Sequence, residues 1–209
     1  MIRILIADDH AVVRKGLAQI LRDEFAGAHI EEVENSEELI RTVVRGGWDV
    51  IISDLSMPGR SGLDALHQIK DIFPKLPVLI MSIHPEDQYA IRVLKAGGSG
   101  YLTKESAPDE LVAAVHIVLS GKRYISASTA DKLASSVVRD IEKPLHEYLS
   151  DREFDVLKLI AAGKSVSEIS RQLSLSVTTI STYRSRLLVK MNIRTNAGLT
   201  KYALDHQLL

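Results

Sequence analysis

Two short runs decide the fold, Asp49-Val50-Ile51-Ile52-Ser53-Asp54 and Pro77-Val78-Leu79-Ile80-Met81-Ser82. Each has an aliphatic centre of strand length with no polar residue alternating toward water, as expected of strands buried on both faces. Working outward, residues 3–7, 29–34 and 100–103 read as further strands beside 49–53 and 77–81. Between them lie amphipathic stretches at 11–25, 36–45, 62–73, 86–96 and 107–120, with Ser36 and Pro108 at helix starts. Strands and helices alternating in this way require right-handed crossovers, and hence a parallel sheet with helices on both faces. The first half is expected to be α/β, a doubly wound parallel five-stranded sheet.

After Gly121 no strand pattern returns. Residues 127–138 read as one more helix, followed by a charged segment, 139–147, that Pro144 interrupts. From Ser150 onward the pattern is helical. Ser150/Glu153 and Ser165/Glu168 are capping boxes, in which an N-cap hydroxyl and a carboxylate three residues on satisfy each other's backbone N–H groups. Ser176 opens a third helix at 177–191, and Thr195 a fourth at 196–206. The expected organisation is a sheet domain at 1–121, a partly helical linker at 122–148 and an all-α four-helix domain at 149–209.

The 209 residues exceed one typical domain of ~100–150 residues, in keeping with two. Hydrophobic residues at 45% supply enough apolar surface for buried cores, which excludes wholesale disorder. With no cysteine, disulfides, thiolate metal sites and cysteine nucleophiles are excluded, and a reducing, cytoplasmic setting is expected. No apolar run approaches the ~20 residues of a membrane span, so no membrane partner is expected. The net charge of −1 conceals a division: residues 1–149 carry 17 Lys and Arg against 22 Asp and Glu, a net −5, whereas 150–209 carry 9 against 5, a net +4. A basic half beside an acidic one points to a polyanionic partner for the tail.

In open α/β sheets, ligands gather at the carboxyl ends of the strands. There this chain has Asp8-Asp9 after the first strand, Asp54 after the third, Ser82 after the fourth, and Thr103-Lys104 after the fifth. Three converging carboxylates repel one another, and a hard divalent cation with oxygen ligands relieves that repulsion; Mg²⁺ suits such a site. A cation between Asp9 and Asp54 could hold a phosphoryl group against the Asp54 oxygen while Lys104 adds positive charge, making Asp54 a nucleophile.

The text Ile6-Ala7-Asp8-Asp9-His10, Asp54-Leu55-Ser56-Met57-Pro58 with Gly62, Ala96-Gly97, and Gly100-Tyr101-Leu102-Thr103-Lys104 resembles the receiver domain of two-component response regulators over residues 1–121. The resemblance implies a flavodoxin-like fold and Asp54 as acceptor of a phosphoryl group from a sensor histidine kinase. It further implies a Mg²⁺ site of Asp8, Asp9, Asp54 and the Ser56 carbonyl, with Ser82 and Tyr101 as a switch pair beside Lys104. Receivers generally carry a small residue after the fourth-strand hydroxyl. Here it is Ile83, which is expected to narrow access to Asp54. Many also follow the lysine with proline, where this chain has Glu105.

The tight Leu173-Ser174-Leu175 connection between the second and third tail helices has the form of a helix-turn-helix. Ile180, Leu187, Leu188 and Met191 recur at core spacing, leaving hydroxyls and arginines outside. With Leu149-Ser150-Asp151-Arg152-Glu153, Glu168-Ile169, Thr179-Ile180, Arg184-Ser185-Arg186 and Lys190-Met191, the tail resembles the LuxR-type DNA-binding domain of NarL/FixJ regulators. That resemblance implies a homodimer when active, formed through the helix from Asn196, on promoter double-stranded DNA. The third helix would enter the major groove, with Thr178, Thr179, Ser181, Thr182, Arg184, Arg186 and Lys190 as contacts. The family commonly has lysines at Thr178 and Ser181, so nonspecific phosphate attraction is expected to be weaker here.

Two other readings stand beside this one. An aspartyl-phosphate phosphatase would want a second acid soon after its nucleophile, and Leu55-Ser56-Met57 offers none, so the chain is not expected to be an enzyme. A phosphorylation-independent DNA-binding protein would use the sheet domain for dimerisation alone. Acetyl-phosphate labelling separates the three by stable label, rapid turnover or none.

Overall fold

The computed structural model describes residues 1–57, 62–126, 129–130 and 144–209, and the chain divides into two compact units, Met1–Ala134 and Ser135–Leu209. The helix expected at 127–138 lies outside the described residues but for 129 and 130, and Pro58 also lies outside them.

The first unit runs β1 (Arg3–Ala7), α1 (Ala11–Glu24), β2 (His29–Val33), α2 (Ser36–Val44), β3 (Val50–Asp54), α3 (Gly62–Ile72), β4 (Val78–Ser82), α4 (Glu86–Lys95), β5 (Gly100–Thr103) and α5 (Ala107–Leu119). Every pairing is parallel, in the order β2-β1-β3-β4-β5, so the expected doubly wound sheet is present. β3 and β4 both run one residue further than their apolar centres suggest. The ladder continues through Asp54↔Met81 and Ser82↔Thr103, which makes Asp54 and Ser82 the last residues of their strands.

Alternation along the strands sorts the core. Ile4, Ile6, Val50, Ile52, Leu79, Met81 and Leu102 share one buried cluster with Leu17 and Leu21 of α1 and Leu111 and Val115 of α5. β3 and β4 are buried along their whole length, which accounts for runs apolar on both faces. α2 starts at Ser36, but its cap is Asn35, whose side chain accepts from the Glu38 N–H. Past α5, Tyr124 forms an isolated parallel bridge to Gly100, a pairing too short for a period-2 pattern to announce.

Among the described residues of the second unit the first element is a 3-10 turn at Leu145–Tyr148, absent from the sequence reading. Four helices follow: α6 (Asp151–Ala161), α7 (Val166–Gln172), α8 (Val177–Lys190) and α9 (Asn196–Asp205). Both capping boxes are formed, and Ser176 and Thr195 accept from the Thr179 and Gly198 N–H groups. A cap contributes about 1 kcal/mol, whereas each fully buried leucine or isoleucine contributes roughly 1.5–3 kcal/mol. The unit is therefore held mainly by Leu157, Ile169, Ile180, Leu187 and Leu199, all with no exposed surface. Leu188, expected in the core, is only partly buried.

Glu153 ties α6 to α8. Its buried carboxylate accepts from the Ser150 N–H at 2.9 Å and Oγ at 3.0 Å, and from Lys190 Nζ at 2.6 Å. Burial pushes its pKa up, but Lys190 and Ser150 outweigh that and hold it below the usual glutamate value. A depressed acid stabilises the fold above its ordinary pKa, and this stabilisation is lost as pH falls through the folded value. Glu153→Gln is expected to cost the second unit about 1–2 kcal/mol at neutral pH. Urea unfolding of wild type and variant should show that difference closing under acid conditions.

Candidate functional site

The register brings the acidic residues together. Ile4↔Val50 through Ala7↔Ser53 pair in β1 and β3, so Asp8 and Asp54 leave neighbouring strands side by side where the strand order reverses. Leu55 N–H donates to the Met81 carbonyl and Lys104 N–H to the Ser82 carbonyl, which aligns the next two strand ends.

Lys104 is the centre of the arrangement. Its Nζ stands 2.8 Å from Asp54 Oδ2 and 2.7 Å from Asp8 Oδ2, with Asp8 and Asp54 essentially buried. The Asp54 contact is a hydrogen bond. The Asp8 contact is ionic without hydrogen-bond alignment, and the buried Asp8 Oδ2 receives no hydrogen bond among the described residues. Burial disfavours the charge on Lys104, but its close contacts with Asp54 and Asp8 prevail and raise its pKa. Asp54 is raised too, chiefly by burial and further by Asp8; Lys104 and the Ser56 N–H, 3.2 Å from Asp54 Oδ1, offset this only in part.

A cation fits this donor set. Asp8, Asp9, His10 and Asp54 each offer an atom within 4.8 Å of the others, and Lys104 faces two of the three carboxylates, Asp8 and Asp54. A further divalent charge would offset the negative charge that Lys104 leaves unbalanced.

Arg14 went unnoticed in the sequence and lies directly behind the site. Almost wholly buried in α1, its Nη1 donates to the Asp8 carbonyl at 2.7 Å and its Nη2 to Glu34 at 2.9 Å, with Nε 3.5 Å from Glu32. It ties the turn carrying Asp8 to the end of β2. The signal available was an arginine on the α1 face otherwise given to Leu17, Ala18 and Leu21.

Ser82 and Tyr101 share a face by alternation, Ile80↔Tyr101 and Ser82↔Thr103 being paired. Ser82 is buried and its Oγ accepts from the His84 N–H at 3.1 Å. The Tyr101 ring is buried, its hydroxyl donates to the His84 carbonyl at 2.8 Å, and burial raises its pKa against a hydrogen bond with Ser82. Ile83 is 75% exposed next to the buried Ser82, as neighbouring residues at a strand end turn opposite ways.

In the second unit, α7 and α8 are joined by a turn in which Ser174 adopts φ +52° and Ser170 Oγ donates to the Leu175 carbonyl at 2.6 Å. Burying Ile180 and Leu187 leaves Thr178, Ser181, Thr182, Ser185 and Arg186 on the exposed face of α8. Thr182 and Ser185 hydroxyls donate to the Thr178 and Ser181 carbonyls, so their free lone pairs face outward as acceptors. Thr179 is turned to the Ser176 hydroxyl, 2.7 Å away, and Arg184 Nε donates to Asn196 Oδ1 at 2.7 Å. Lys190, expected to meet phosphates, is instead drawn to Glu153, though its side chain stays 46% exposed.

A doubly wound sheet with a lysine-bridged pair of buried aspartates at its carboxyl edge, followed by a helix-turn-helix unit, defines a receiver joined to a regulatory module. Residues 4–116 match the response regulator receiver domain model, and residues 147–203 match that of the bacterial regulatory proteins of the luxR family. The chain is 36% identical over 210 residues to Response regulator UvrY of Escherichia coli K12, covering all of this chain and 96% of that protein. It is 34% identical over 214 residues to Oxygen regulatory protein NreC of Staphylococcus carnosus, covering 99% of each. Among solved structures, RcsB of Salmonella enterica serovar Typhimurium, bound to promoter rprA with the phosphomimetic BeF3⁻, superimposes with a TM-score of 0.66 at 28% identity, covering 97% of this chain and 98% of that one. The chain belongs to the NarL/FixJ family of response regulators, with a receiver domain and a LuxR-type domain. No helix among the described residues is long and apolar enough to cross a membrane.

Proposed function

We propose that this regulator accepts a phosphoryl group on Asp54 from a phosphohistidine of a sensor kinase, and that the modified protein binds promoter DNA as a homodimer in the cytoplasm. Its working parts are a receiver at 1–121, a linker at 122–148 and a DNA-binding domain at 149–209. The observation that carries the reading is Lys104 Nζ lying between Asp8 and Asp54 at the carboxyl edge. Asp8, Asp9, Asp54 and the Ser56 carbonyl would hold Mg²⁺, which when bound neutralises charge on the phosphoryl oxygens. An Asp54 oxygen attacks phosphorus, the P–N bond breaks, and its electron pair returns to the kinase imidazole, leaving an acyl phosphate on Asp54. Lys104 follows the charge onto the phosphoryl oxygens.

The same geometry supports a switch. Ser82 Oγ and Tyr101 Oη are both anchored to the His84 backbone, through its N–H and its carbonyl. Drawing the Ser82 hydroxyl toward a phosphoryl oxygen frees the His84 N–H and moves the peptide that anchors Tyr101, so local charge becomes a change at β4, β5 and α4. The phosphorylation-independent alternative, in which the sheet domain serves dimerisation alone, is separated from this reading by acetyl-phosphate labelling of Asp54.

For DNA, α8 is the recognition helix. The solved complex of two RcsB dimers on two parallel DNAs supports dimeric binding. Thr178, Ser181 and Thr182 face bases, with Thr179 and Arg184 buttressing the helix start and its contact with α9. Arg186 neutralises phosphate, and the exposed part of Lys190 does so at the cost of its pairing with Glu153. The test is selection of bound DNA fragments with and without acetyl phosphate, in which phosphorylation should enrich a defined site. On that site Arg186→Ala is expected to weaken all sequences about equally and lower the salt slope by roughly one, whereas Thr178→Ala should change the preference between sequences.

A further inference from the structure

We propose that the hydrogen bond between Ser126 and Glu86 is a latch, fastening the start of the linker to the switch loop of the receiver until phosphorylation of Asp54 releases it. The inference rests on the phosphorylation and the Ser82 movement proposed above. Past α5 the chain is pinned twice. Tyr124 N–H donates to the Ser99 carbonyl at 2.8 Å, and its hydroxyl donates to Glu110 Oε2 of α5 at 2.9 Å. The approach to β5 is so close that a β-carbon on Gly100 would lie 2.9 Å from Tyr124 Cβ and from its carbonyl oxygen. Further on, Ser126 Oγ donates to Glu86 Oε1 at 2.6 Å, the short separation of a hydroxyl bound to a carboxylate.

Both ends of that bond are tied to something that matters. Ser126 caps the turn that follows it: its Oγ accepts from the Thr129 N–H at 3.1 Å, and its carbonyl accepts from the Ala130 N–H at 2.9 Å. Donation to Glu86 fixes the hydroxyl proton and leaves a lone pair for Thr129. Glu86 opens α4 directly after His84 and Pro85, and the His84 backbone is the one held by the Ser82 and Tyr101 side chains. Burial raises the pKa of Tyr101 and of Tyr124, and the Glu86 charge adds to that at both, which puts this carboxylate near the switch tyrosine and near the tyrosine that pins the exit of the receiver. When Ser82 leaves the His84 N–H for a phosphoryl oxygen, the segment from His84 to Glu86 moves, while Tyr124 stays held by Ser99 and Glu110. A shift of about 1 Å takes so short a contact out of hydrogen-bonding range, so the latch is what yields. A dimer must place two tails on one site, and a linker unfastened at its start gives both the reach to do so.

The experiment measures the Kd of the full-length protein for a DNA fragment selected as above, with and without acetyl phosphate, while mass spectrometry follows the label on Asp54. Wild type is compared with Glu86→Ala, Ser126→Asp and Ser126→Thr. Aspartate caps a helix as well as serine does, but it has no proton to donate to Glu86 and repels it, which separates the latch from the cap. Glu86→Ala and Ser126→Asp are expected to bind at least about fivefold more tightly than wild type before labelling, the low end of allosteric coupling, and to gain little on labelling. Labelling of Asp54 should be unchanged in both, and Ser126→Thr, which keeps the hydroxyl, should respond as wild type does. In wild type, hydrogen exchange at the Thr129 N–H should quicken once Asp54 is labelled. A wild-type response in Glu86→Ala and Ser126→Asp, a response lost through weaker binding of the labelled protein, or unchanged exchange at Thr129 overturns the latch and leaves Asp54 phosphorylation standing. Wild type that takes no label on Asp54 overturns both.

Discussion

Asp54→Asn is expected to abolish phosphorylation, lowering acetyl-phosphate incorporation by at least about a thousandfold, because the amide lacks the anionic oxygen that attacks phosphorus. Among the described residues no other acid is placed to replace it. Asp8 is fully buried, its Oδ2 faces Lys104, and its Oδ1 is taken by His10, while Asp9 pairs with His10 at 2.8 Å. Unfolding would not account for the loss. Burial raises the Asp54 pKa, so its proton is held more tightly folded than unfolded. The stability this gives is full below the ordinary carboxyl value and is lost as pH rises through the folded value. At neutral pH the Asp54 charge therefore costs stability, and the neutral isostere should melt no lower than wild type, with Lys104 still facing Asp8. Mass spectrometry after labelling and a thermal scan check the two halves; phosphate found on another residue overturns the assignment.

Gly62→Ala is expected to be the most damaging single methyl in the receiver, costing roughly 2–4 kcal/mol. Gly62 opens α3 against the end of β3, and its N–H donates to the Leu55 carbonyl at 2.8 Å. A β-carbon there would overlap the Asp54 carbonyl oxygen and lie 2.7 Å from Leu55 Cα. These are backbone atoms, so no rotamer change relieves the clash; either α3 retreats or the end of β3 moves. Because the displaced strand end carries Asp54, labelling should fall together with the urea midpoint. A variant with unchanged stability would mean that α3 yields without β3. The sequence marked Gly62 by its place in the receiver motif, but the close approach behind it belongs to the folded chain.

How far the site was legible follows from how local each signal is. Asp8, Asp54, Ser82 and Lys104 could be grouped from sequence because each directly ends or follows a recognisable strand, and a parallel sheet brings consecutive strand ends to one edge. The caps at Ser150, Ser165, Ser176 and Thr195 were legible because each is satisfied within its own first turn. The pairing of Lys190 with Glu153 was not legible because the partner lies on another helix, 37 residues away, and periodicity places a residue on a face without stating what the facing helix presents.

The sequence by itself determined that five apolar runs alternate with five amphipathic ones, that acids and a lysine follow particular strands, and that a basic helical tail begins near Ser150. Hydrophobic period, cap chemistry and charge are properties of neighbouring residues and need no fold to be read. Tertiary structure alone decided that Lys104 spans Asp8 and Asp54, that Arg14 reaches back to the Asp8 carbonyl, and that His10 turns its Nδ1 toward two carboxylates. The physical reason is that such contacts are set within a few tenths of an ångström by backbone register and side-chain rotamer, which exist only once the strands have paired and the helices have closed over them.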